Sequence, residues 1–255
     1  MARNDEINRF PIKNTTFKSI ILAGSALLIG IYVLLSLIMF PTPFIGGSGT
    51  LNLGLIGTPI TGILTATWLM NYCHSEKEGF LIAVMIGGFG GLVASFTSPA
   101  NFCGLWFIML PLMGVIGTFL TFRGGKYAIV PLVWVLIIAI GMFTTFQLVL
   151  INIPHLIALI AGILAIVKVP NYIKQEKIQL GIRILLACVV GTVAEWCALN
   201  IFAAWILEIP LPAWYGIMPL VFIERGFSVV GGFIIVYSVL LALQHQKIIE
   251  ITKIP

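Results

Sequence analysis

The stretch Gly181-Ile182-Arg183-Ile184-Leu185-Leu186-Ala187-Cys188-Val189-Val190-Gly191-Thr192-Val193-Ala194-Glu195-Trp196-Cys197-Ala198-Leu199-Asn200-Ile201-Phe202-Ala203-Ala204-Trp205-Ile206-Leu207 sets the solvent in which this chain folds. Its 27 residues would make a helix about 40 Å long. The hydrocarbon core of a bilayer is about 30 Å thick. Arg183 stands near one end, Glu208 follows the other, and Glu195 is the single charge between them. Such a segment reads as a membrane span.

Similar apolar runs occupy 19–40, 52–72, 80–97, 104–122, 127–150, 154–168 and 226–244. Over the 255 residues, 60% are hydrophobic and 9% charged, against about 25% charged in soluble domains. Too few charges exist to cover a water-facing exterior, and the mean hydropathy of +1.11 agrees. The expectation is an all-α, polytopic helical bundle of about eight spans, one integral membrane domain over 1–255. The sixth run is short and calls for tilt or local thinning. Pro154 is expected in the first turn of its helix.

Charge then orients the bundle. With a cytoplasmic start, the inner segments are 1–18, 73–79, 123–126, 169–180 and the tail after 244. Counting Lys168 and Arg183 as inner flanks, they hold every one of the 14 Lys and Arg residues except Arg225. The positive-inside rule therefore predicts both termini in the cytoplasm of a multi-pass protein of the cell membrane. The basic start, with Arg3, Arg9, Lys13 and Lys18, leads into an apolar run from Ser19 to Phe40. That run exceeds the roughly 7–15 residues of a signal-peptide core, so it reads as an uncleaved first span. The net charge of +5 has this membrane explanation and no clustering of the kind a nucleic acid needs.

Chemistry-bearing motifs are sparse. Cys73, Cys103, Cys188 and Cys197 form no C-x-x-C pair and have no histidine at ligand spacing. They read as small packed residues, so no metal or cofactor is expected. His74, His155 and His245 are placed at membrane boundaries. No G-x-S-x-G, H-E-x-x-H or P-loop occurs, so no enzymatic activity is expected and any energised role needs a partner.

The polar candidates are few. Glu195 at mid-depth costs about 2.5–3.5 kcal/mol on insertion scales. Its helical face also carries Cys188, Gly191, Thr192, Ala198, Leu199 and Phe202, small on one side and bulkier on the other, with Trp196 adjacent. Either it binds a polar group of a substrate or it is a hydrogen-bonded structural carboxyl. The segment 208–225, with Trp214 and Tyr215, is expected outside, long enough for a short interfacial helix. Ligand contact and interfacial anchoring account equally for its rings. Arg225 pairs with Glu208 or meets a ligand, and Glu224 caps the eighth span. Gln147 and Asn152 are weak candidates. Small residues recur every four positions at Ser19/Ala23 and Ala26/Gly30, at Gly54/Thr58/Gly62 and at Gly87/Gly91/Ser95. Such faces let helices pack closely in lipid.

The run Gly46-Gly47-Ser48-Gly49-Thr50-Leu51-Asn52-Leu53-Gly54 resembles the first outer loop of the substrate-binding S components of energy-coupling factor (ECF) transporters. Gly87-Gly88-Phe89-Gly90-Gly91-Leu92-Val93-Ala94-Ser95 is similar to that family's glycine-rich third helix, and Leu110-Pro111-Leu112-Met113-Gly114-Val115-Ile116-Gly117 to its fourth. The last two spans, with Pro219 to Gly226 between them, resemble its fifth and sixth. The likeness covers 19–122 and 181–244. Family members have six helices, so 127–168 would be an inserted hairpin.

The resemblance implies capture of a vitamin-like micronutrient from outside by a pocket lined by Asn52, Glu195, Trp196 and the 208–225 segment, with Trp214, Tyr215 and Arg225. It further implies docking through Ala23, Ala26 and Gly30 onto a transmembrane coupling subunit driven by two ATPase subunits. Two other readings stand beside it. A stand-alone secondary transporter or channel would need internal repeats and broken helices. An intramembrane lipid-modifying enzyme would need several polar residues at one depth.

Overall fold

A computed structural model describes residues 14–44, 47–97, 104–146, 149–246 and 248–249. Arg3, Arg9, Lys13, Gly46, the 98–103 loop with Cys103, and Gln147 lie outside the described residues. The described residues are helical apart from short connections and one hairpin. Helix α1 (Asn14–Leu37) leads into strands β1 (Met39–Phe44) and β2 (Gly47–Asn52). Helices α2 (Gly54–Thr67), α3 (Glu76–Thr97), α4 (Met109–Arg123), α5 (Ile129–Phe146), α6 (Val149–Ile166), α7 (Glu176–Ile201) and α8 (Leu211–His245) follow. Each of the eight expected runs thus has its helix. Among the described residues, six helical stretches are long and apolar enough to cross a membrane, while α2, with 14 residues, and the Asn152–Ile166 part of α6 are shorter.

The bundle is built around α7. Within its most apolar window 78% of residues are buried, against 22% in α1, α5 and α8, which makes α7 the axis and those three the rim. Helix α2 is also wrapped: among its 14 residues only Leu55 is not buried. An all-round apolar helix of that length belongs in a core, so α2 presents almost nothing to lipid. The small residues have the packing role expected of them. A Cβ on Gly87 would stand 2.8 Å from the Leu112 Cα, and one on Gly91 2.8 Å from the Ile108 Cα. Backbone thus meets backbone where α3 crosses the start of α4.

Three expectations need correction. The glycine-rich segment after α1 is a two-stranded antiparallel hairpin, with Met39 opposite Asn52 and Phe44 opposite Gly47. Pro41 and Pro43 are two apart in β1, so their missing N–H groups fall on one edge, where a strand tolerates proline. Helix α6 begins at Val149, which puts Pro154 inside it and past the first turn. Residues 211–225 form no separate short helix: they are the first part of α8, a continuous helix of 35 residues. Pro212 in its first turn and the left-handed Glu208 (φ 51°) before it mark where the chain breaks. Arg225 therefore lies mid-helix and does not open the span.

Among the described residues, Arg123, Lys168 and Arg183 gather at one end of the bundle. Arg123 at the close of α4 meets Glu76 at the start of α3, 2.6 Å apart, and Arg183 donates to the Asn171 side chain. Ser75 Oγ accepts from the Glu78 N–H at 3.2 Å while Glu78 Oε2 accepts from the His74 N–H at 2.7 Å. This reciprocal capping starts α3. Nearby, burial, with Glu78 as the second cause, pushes the Cys73 thiol up to about 11.

Candidate binding site in the bundle interior

Proline decides how α2 and α8 meet. Pro59 lies inside α2 and has no N–H to give the carbonyl four residues back. That carbonyl, Leu55 O, is taken instead by the Ser228 hydroxyl of α8, with Thr58 Oγ1 3.3 Å away. Thr192 Oγ1 of α7 lies 3.2 Å from Ser228 Oγ. Ser228 has one proton and it goes to Leu55, so Thr192 is the donor in that contact. A line of hydroxyls thereby ties α7 to α8 and α8 to α2.

Glu195 sits one turn further along α7, 2% exposed. Thr58 Oγ1 donates to its Oε2 at 2.8 Å. The other threonines of α2 turn back on their own helix: Thr61 to Gly57 O at 2.9 Å, Thr65 to Thr61 O at 2.7 Å and Thr67 to Ile63 O at 2.8 Å. Thr58 alone of the four reaches across to another helix's side chain. Gly114 of α4 makes the room. A Cβ there would stand 3.1 Å from Glu195 Oε2 and 3.0 Å from Thr58 Cβ.

Arg225 enters from α8. It is 6% exposed, its Nη1 donates to Thr192 O at 3.3 Å, and its Nε has no partner. The charges of Arg225 and Glu224 both reach Glu195, and Glu195 in turn reaches the buried Tyr32 of α1. Yet the one ion pair among the described residues is Arg123–Glu76. Arg225 therefore pairs neither with Glu208, as the sequence suggested, nor directly with Glu195. Four helices bring a carboxylate, a guanidinium and several hydroxyls into one apolar interior. With the Thr58 proton on Glu195 Oε2, Arg225 Nε is a donor left without a partner in this interior.

The other expected residues are placed differently. Asn52 is engaged with backbone at the start of α2: its Oδ1 accepts from Gly54 N at 2.6 Å and its Nδ2 donates to Ser36 O at 3.1 Å. Trp196 faces away from Glu195 toward α6, stacked on His155 with ring centroids 4.7 Å apart. Trp214 is 3% exposed and donates to Ile209 O at 3.1 Å. Tyr215 is 53% exposed. Ala23 and Ala26 are exposed and Gly30 half-buried on the outer side of α1, opposite the buried Leu28 and Tyr32. A Cβ on Gly30 would meet nothing within 4 Å.

Some polar residues escaped the sequence reading. Thr58 was absorbed into a packing stripe, although four threonines in a helix this apolar are a signal of buried hydroxyls. His155 is fully buried, 3.3 Å from the Asn200 side chain. It lines an open groove of about 320 Å³ with Ile140, Phe143, Asn152, Leu156 and Leu159. Trp106 and Trp134 donate from their indoles to the α7 carbonyls Ala198 O, at 2.9 Å, and Ala194 O, at 3.1 Å. They clamp the helix on either side of Glu195.

Comparison with protein-family models, with curated proteins and with solved structures returned no match. The functional reading therefore stands on the residues themselves.

Proposed function

We propose that this chain is the membrane-embedded substrate-binding subunit of an ECF-type importer, resident in the cell membrane. It captures a vitamin-like small molecule from outside and carries no catalytic chemistry of its own. The observation that carries the reading is the Glu195–Thr58 pair with Arg225 beside it and Arg225 Nε unmatched. Buried ionisable groups in a membrane interior mark solute or ion paths. A neutral heterocycle with one donor and one acceptor edge, such as a nucleobase-like or amide-bearing vitamin, complements that set.

Two further features support the reading. The hairpin β1–β2 ends at Asn52, directly before α2, and β1 lies against α8. Closure of such a hairpin over the α2–α8 junction would cover a bound solute. The outer side of α1 presents Ala23, Ala26 and Gly30 with nothing over Gly30, a surface on which a coupling subunit's helix could approach closely.

The test is native mass spectrometry of the purified chain, followed by titration of any molecule it retains against wild type and Glu195→Gln. Retention of a small polar molecule, with weaker binding by the variant and normal expression, is the expected result. A retained molecule bound equally by both proteins would remove Glu195 from the site. The stand-alone transporter reading is favoured by one observation, the helix interruptions at Pro59 and at the π turn Phe202–Ile206. Transport by the isolated chain in liposomes, without ATPase subunits, would select it.

A further inference from the structure

At the basic end of the bundle, α4, α6 and α7 enclose a narrow cleft lined by Thr121, Arg123, Gly124, Lys168, Asn171 and Arg183, among others. Three lining residues are cations and none is acidic. Two of the cations are held in place: Arg123 by Glu76 at 2.6 Å and Arg183 by the Asn171 side chain. Lys168 is exposed. Its stem lies across the turn after α4, where a Cβ on Gly125 would come 2.9 Å from Lys168 Cε.

The backbone is shaped for this meeting. Gly124 (φ 66°), Gly125 (φ 55°) and Lys168 (φ 55°) are all left-handed, a conformation natural to glycine and uncommon for lysine. The turn after α4 and the turn after α6 come together there, and Lys168 is held over the cleft at some cost in strain.

Inside the cleft is an unmet polar group. Thr121 is 3% exposed and its hydroxyl has no hydrogen-bond partner. An unsatisfied buried hydroxyl is unfavourable, and Thr58, Thr61, Thr65, Thr67 and Thr118 all find acceptors. The whole cleft leaves about 20 Å³ for the centre of a water-sized group, room for one oxygen at a time. An anion oxygen fits that space and takes the Thr121 proton.

We propose that this cleft binds a phosphate group, with one oxygen on Thr121 Oγ1 and the others at the mouth, facing Lys168, Arg123 and Arg183. Phosphate offers enough oxygens to engage a hydroxyl and three cations together. Its source is either the headgroup of an anionic phospholipid, which basic pockets between membrane helices recognise, or a free phosphate compound. The site is independent of the Glu195 centre.

The full-length chain, delipidated in detergent, is assayed by thermal unfolding in two arms. In one it is placed in vesicles of phosphatidylcholine with or without phosphatidylglycerol; in the other, inorganic phosphate is titrated in detergent. The expected result is stabilisation of wild type by phosphatidylglycerol, by inorganic phosphate, or by both. Apparent affinity should fall about tenfold in Lys168→Gln and in Thr121→Val. A response to phosphatidylglycerol alone assigns the source to lipid; a response to inorganic phosphate assigns it to a soluble compound. Thr121→Val keeps the side-chain shape and removes only the hydroxyl, so it should unfold no earlier than wild type without phosphate. Equal responses from wild type and both variants, or no response from wild type to either probe, would overturn the proposal.

Discussion

Thr58 of α2 donates its hydroxyl proton to Glu195 of α7 across 2.8 Å, inside a bundle where both side chains are shielded from solvent. The two positions are 137 residues apart in sequence. Thr58→Val preserves shape and removes the donor, leaving the carboxyl short of a partner. The expected loss is about 1–3 kcal/mol of stability, read as an earlier unfolding transition in detergent. In a double-mutant cycle with Glu195→Gln the two changes should be less than additive. Strict additivity would mean that the pair does not act as a unit.

Removing Arg225 tests its electrostatic partnership with Glu195. Arg225→Met should destabilise by about 1–3 kcal/mol, the range for leaving a buried acceptor such as Thr192 O without its donor. Adding Glu195→Gln should recover part of that loss. If the double variant is no more stable than Arg225→Met alone, the two charges are not compensating one another.

Glycines distinguish interior from exterior. Gly114→Ala puts a methyl 3.1 Å from Glu195 Oε2 and should cost about 1–3 kcal/mol through overpacking, with loss of solute binding. Gly30→Leu adds bulk where nothing lies within 4 Å. It should leave the isolated chain's unfolding midpoint unchanged and abolish co-purification with a coupling subunit. A Gly30→Leu protein that still assembles would exclude this side of α1 as the contact.

The Cys73 thiol, at about 11, is overwhelmingly protonated at pH 8, with about one molecule in a thousand as thiolate. Alkylation there should be slow and speed up about tenfold per pH unit below 11. Glu78→Gln removes the second of the two causes holding the thiol up. It should lower the pKa and accelerate labelling at pH 8. A slower or unchanged rate would refute the electrostatic part of the account.

Sidedness has its own test. A cysteine at Ser48 in the hairpin should be labelled by impermeant reagent from outside intact cells, and one at Lys126 only after permeabilisation. Labelling of position 48 from the cytosol alone would invert the bundle.

Much of the helical layout was legible because hydrophobic runs and charge placement are local signals. The run at 80–97 ends where α3 does, and 104–122 nearly coincides with the helical stretch Gly104–Arg123, since lipid leaves a chain few alternatives to satisfied helical backbone. The burial of α2 was not legible. Gly54, Thr58 and Gly62 announce close packing, but not that neighbours surround the helix on all sides. Glu195 stood out because a lone acid in an apolar run is costly wherever it lands. Its partner Thr58 was hidden, because a threonine bonded to its own helix looks identical in sequence to one reaching across. Trp196 shows the complementary error. Adjacency to Glu195 suggested a shared pocket, but successive helical residues are about 100° apart, and Trp196 turns to His155. The 208–225 segment was expected to stand apart from the eighth span, whereas Pro212 lies in the first turn of α8 and Pro219 is absorbed within it.

Helix α8 has 35 residues and is therefore about 52 Å long. Standing upright in a hydrocarbon layer of about 30 Å it would overhang by about 20 Å, and even at a 40° tilt by about 10 Å. The turns before Arg225 do not stand free, because Trp214, Met218 and Val221 are buried in the bundle. One continuous rod thus joins that packed half to the Arg225 guanidinium, and a shift at either end is transmitted to the other.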